Sequence, residues 1–167
     1  MRLRSVDQSN MRPPLTSSEL ILNVIARCQD HPTLAWLPPI VRIHTIKMVV
    51  PKIFLLSACL ASSYRFMPVF MFVENKIKYL KDQILLLGLT REEIIFVESS
   101  IITKSVPILK TCLHQPPALI SPLRTVSLMM IINTILEVDL NKIINNFFGG
   151  NSQLVNVLLE KNILYIK

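Results

Sequence analysis

The sequence predicts an all-α protein of five or six helices that ends in an antiparallel helical hairpin, and three observations carry that prediction. Apolar residues recur at three- and four-residue intervals through the second half of the chain. The same helix-start signal, Leu-Thr-x-x-Glu followed by two apolar residues, stands at Leu15 and again at Leu89. Three glycines in 167 residues are too few for tight β-hairpins or a glycine-built phosphate loop. Apolar residues make up 51% of the chain and charged residues only 17%, against a usual ~25%. With a mean hydropathy of +0.47, much of the chain must be covered by itself, by a partner or by lipid.

Residues 1–14 read as a mobile basic arm carrying Arg2, Arg4 and Arg12, closed by Pro13-Pro14, which no helix can run through. Residues 15–167 read as a single helical domain. Its first helix is capped by Thr16 with Glu19 completing a capping box, carries Leu20, Val24 and Cys28 on one stripe, and stops at Asp30-His31-Pro32. An irregular link with Trp36, Pro38 and Pro39 follows. Ile40 to Val50 fits two periods, since VRIHT alternates like a strand while Ile43, Ile46 and Val50 suit a helix.

Met48 to Val73 is the stretch on which the functional reading turns. From Ile53 to Val73 it is long enough, at ~1.5 Å per residue, to cross a hydrocarbon core of roughly 30 Å. Lysines flank it (Lys47, Lys52, Lys76, Lys78) and aromatics gather at its far end. Arg65 and Pro68 interrupt it, and an arginine at mid-membrane costs ~2.5–3.5 kcal/mol. The segment is therefore either a membrane-spanning helix or a deeply buried core helix. As an anchor it would use Ile53, Phe54, Leu55, Leu56, Leu60, Phe66, Val69, Phe70 and Phe72. Leu56-Ser57-Ala58-Cys59 resembles a lipobox, but lies far from the N-terminal position that such motifs occupy.

Glu74 to Leu87 is an amphipathic helix with Ile77, Leu80, Ile84 and Leu87 on one face and Gly88 as its stop. Thr90 and Glu93 form the second capping box, opening a helix that ends before Pro107; its β-branched residues leave a strand as the rival. Ser121-Pro122 starts the next helix. Along it Met129, Ile132, Leu136, Leu140, Ile143 and Phe147 share one face, the surface expected to take a protein partner. Gly149-Gly150 breaks that helix, and a last one follows with Leu154, Val155, Leu158, Leu159 and Ile163 as its apolar stripe.

The net charge of +7 lies wholly in residues 1–81, which carry 11 Lys/Arg and 4 Asp/Glu; residues 82–167 carry 7 of each. That asymmetry suits an anionic membrane surface. Aromatics are not interleaved with the basic residues, which ranks nucleic-acid binding through the basic half lower. Three widely spaced cysteines, Cys28, Cys59 and Cys112, do not form a secreted disulfide framework. Cys28-x-x-His31 and Cys112-x-His114 have zinc-ligand types but no finger spacing, so no metal is assigned. Glu92 and Glu93 are explained by helix capping and dipole, Arg124-x-x-Ser127 resembles a basophilic kinase site, and no catalytic motif is present; neither catalytic residues nor a cofactor are assigned.

Two functional expectations follow. The first is a small non-enzymatic membrane-associated protein, anchored near residues 53–73, whose C-terminal helices bind a partner. The second is a soluble, cytoplasmic helical interaction module, loosely like HEAT or armadillo repeats, with residues 48–73 as its core.

Overall fold

The structure, a computed structural model, describes residues 16–61, 73–106 and 121–163. These form eight helices and no strand: Ser17–Gln29 (α1), Pro32–Ala35 (α2), Pro39–Ala61 (α3), Asn75–Leu87 (α4), Arg91–Ser105 (α5), Pro122–Glu137 (α6), Leu140–Phe147 (α7) and Ser152–Asn162 (α8).

Both capping boxes form as the sequence predicts. The Glu19 amide donates to Thr16 Oγ1 at 3.1 Å, and the Thr16 amide donates back to Glu19 Oε1 at 2.9 Å. Thr90 and Glu93 repeat this at 3.1 and 2.9 Å, so α5 begins as a helix despite its β-branched body. Gly88 ends α4 at φ 59°, and Gly149 and Gly150 turn the chain between α7 and α8 at φ 59° and 78°; these left-handed values favour glycine.

Two short-range signals raise the predicted five or six helices to eight. His31 Nδ1 accepts the Thr33 amide at 3.1 Å and starts the single turn of α2. The long helix after Ser121 breaks at Val138, where Asp139 accepts the Lys142 amide at 2.9 Å and opens α7. The apolar stripe continues across this break, which is why its spacing alone reads as one helix.

The ambiguous Ile40–Val50 and the start of the apolar stretch are one helix, α3. It passes through Pro51, which removes a hydrogen-bond donor and crowds the preceding turn, a cost of ~3 kcal/mol. Burial outweighs that cost. Ile46, Val49, Val50, Ile53, Phe54, Leu55 and Leu56 are all buried, each worth ~1.5–3 kcal/mol. Because Ile53 to Leu56 are four consecutive buried positions, that turn of α3 is covered on every side. It packs against α1, α2, α4, α5, α6 and α7. Phe54 meets Phe147 edge-on at 5.3 Å between ring centroids and lies 5.4 Å from Phe148. One apolar core thus gathers side chains from all eight helices.

The charged residues of α3 serve its neighbours. An Arg42 guanidinium N–H donates to the Gln29 carbonyl at the end of α1, at 2.6 Å. Lys52 donates to the carbonyls of Leu136 and Val138 at 3.0 and 2.9 Å, closing the C-terminal end of α6. Both meet carbonyls that have no donor within their own helix, at the negative end of the dipole. Lys47 pairs with Glu160 on α8 at 2.8 Å.

Phe54 is the largest fully buried side chain among the described residues, which makes it the sharpest test of this packing. Phe54→Ala should lower the unfolding free energy by ~3–5 kcal/mol in chemical denaturation. A loss below about 1 kcal/mol would show that α3 is not the centre of a packed core.

Candidate functional site

Several of the exposed large apolar residues lie on α4 and α6, which pack side by side. Their polarity is fixed by contacts at two points. Arg124, in the first turn of α6, reaches the carbonyls of Leu87 and Gly88 at the end of α4, at 2.8 and 3.2 Å. Tyr79 and Thr134, toward the opposite ends of the same helices, line a common groove. The helices are therefore antiparallel. Between them runs an open groove of about 280 Å³ lined by Tyr79, Gln83, Leu86, Ser127, Met130 and Thr134, with Leu80, Leu87 and Ile131 behind.

Large apolar side chains stand exposed on both helices, and Tyr79, Leu86 and Met130 among them line the groove. On α4 these are Tyr79 and Leu86; on α6 they are Leu123, Val126 and Met130, spaced three and four apart on one face. All five are between 54% and 85% exposed. The α6 hydroxyls in the groove already have partners in their own helix. Ser127 Oγ donates to the Leu123 carbonyl at 3.2 Å and Thr134 Oγ1 to the Met130 carbonyl at 2.8 Å. Covering these two hydroxyls leaves neither donor unsatisfied, which lowers the desolvation cost at Ser127 and Thr134.

The groove is held at one end by an ion pair. Glu93 is 1% exposed and accepts both the Arg124 Nε–H and an Nη2–H, the latter at 2.8 Å. Arg124 thereby ties the end of α4, the start of α5 and the start of α6 together. Its hydrogen bonds, followed by those from Thr90, hold the Glu93 carboxyl down to about 2. The sequence identifies Glu93 as a capping residue and carries no signal of its ion pair. The partner lies 31 positions away, and no local pattern reports it.

The residues singled out by sequence fall in several places. Of the expected partner-binding face, Ile132, Ile143 and Phe147 are buried in the core; Met129 and Leu136 are half-buried against it, and Leu140 is partly exposed. Of the expected anchor, Ile53, Phe54, Leu55 and Leu56 are buried inside the fold and Leu60 is partly buried against the core. Phe66, Val69, Phe70 and Phe72 lie outside the described residues. Among the described residues α3 alone is long and apolar enough to cross a membrane. Its most apolar window has a mean hydropathy of 1.6, and 61% of that window is buried inside the fold.

The basic excess of the N-terminal half is partly consumed internally. Besides Arg42, Lys47 and Lys52, Arg27 bridges Glu98 at 2.7 Å and Ser57 Oγ at 2.6 Å. Ser57 belongs to the lipobox-like motif, whose Cys59 is wholly buried. Burial pushes the thiols of Cys28 and Cys59 up to about 12, which leaves them poor nucleophiles at neutral pH. Cys112 and His114 lie outside the described residues, and among those described no group of three or more His, Cys, Asp or Glu is placed to hold a metal.

The Arg124–Glu93 clamp has a pH signature. Because the folded-state value of Glu93 lies below the ordinary ~4.3 of a glutamate, its stabilisation is complete above that value. It is lost as pH falls from ~4.5 toward 2. Glu93→Gln should therefore be less stable than wild type at pH 7, with the gap narrowing across that window in denaturant titrations. A gap unchanged between pH 5 and pH 2 would show that Glu93 is not held ionised by Arg124.

No protein family, no curated protein and no solved structure matches this chain.

Proposed function

We propose that the chain is a small non-enzymatic helical interaction module, with α3 as its core and the α4–α6 face as its docking surface for an apolar partner segment. One observation carries this reading: five large apolar side chains stand exposed on two antiparallel helices, and three of them, Tyr79, Leu86 and Met130, line the groove between. Full burial of such a side chain is worth ~1.5–3 kcal/mol, so covering the exposed part of five contributes on the order of 5–10 kcal/mol. Association costs ~4–15 kcal/mol in lost freedom. The face therefore suits a reversible contact rather than an obligate one.

Membrane anchoring is the second reading, favoured by the length and apolarity of α3. Against it, the apolar side chains of α3 from Val49 to Leu56 are covered by other helices, and Lys47 and Lys52, which could have met headgroups, are engaged by Glu160 and by the end of α6.

Two measurements separate these readings. Carbonate extraction of cells should release the wild-type chain into the supernatant; retention in the pellet, reversed by detergent, favours the anchor. A photo-crosslinking residue at Met130 should give discrete protein adducts, absent from the same probe at Lys161. Those adducts should disappear with Leu86→Lys, a change at an exposed position expected to alter stability by no more than ~0.5 kcal/mol. Equal adduct patterns at both probe positions would overturn the docking surface.

A further inference from the structure

We draw no further inference here: the strongest candidate, the apolar groove between α4 and α6 lined by Tyr79, Leu86 and Met130, belongs to the site already described, and nothing in the structure shows what covers it.

Discussion

The fold depends on one constraint, that the Ile53–Leu56 turn of a 23-residue helix is apolar all round and has to be covered on every side. An amphipathic helix needs one packed neighbour. α3 offers no polar stripe through Ile53–Leu56 and so needs a jacket. The other elements meet that need in short pieces, and most of them are too short to be stable alone. Their stability comes from the surface they share with α3. The proline inside α3 is tolerated for the same reason, since the side chains around it gain more from burial than one missing hydrogen bond costs.

Charges complete the assembly where apolar packing ends. Arg42 and Lys52 place cations on the carbonyl ends of α1 and α6, and Arg124 does so at the end of α4 while neutralising Glu93. Basic side chains thus act as long-range C-terminal caps. A second consequence concerns α4 and α6. Because Arg124 fixes one end of the groove, the exposed apolar residues are presented on a held surface. A docking face arranged in advance loses less freedom when it is covered, which is the physical case for reading it as functional.

Much of the helical architecture was legible in the sequence because its signals are local. Thr16 with Glu19, Thr90 with Glu93, Ser121 before Pro122, and Gly88 each act within one turn, and each works as predicted. Asp139 carried a local signal as well, but the apolar stripe running through Val138 masked it. What spacing cannot report is which helices meet. The Glu93–Arg124 pair and the reach of Lys52 to Leu136 and Val138 join residues far apart in the chain. The same limit applies to the candidate site. Periodicity identifies the apolar stripe of Ile132, Ile143 and Phe147, which the core takes. Leu123, Val126 and Met130 lie on another face of α6, and Met130 lines a groove only because α4 brings Tyr79 and Leu86 beside it.

α3 is the packed centre of the described helices. Hydrogen–deuterium exchange of the purified chain in detergent-free buffer tests it most directly. Amides from Val49 to Cys59, Pro51 excepted, should be the slowest in the molecule and should exchange only through global unfolding, after those of α2 and α8. Exchange of α3 as fast as that of α8, or protection that appears only once detergent or lipid is added, would contradict the account.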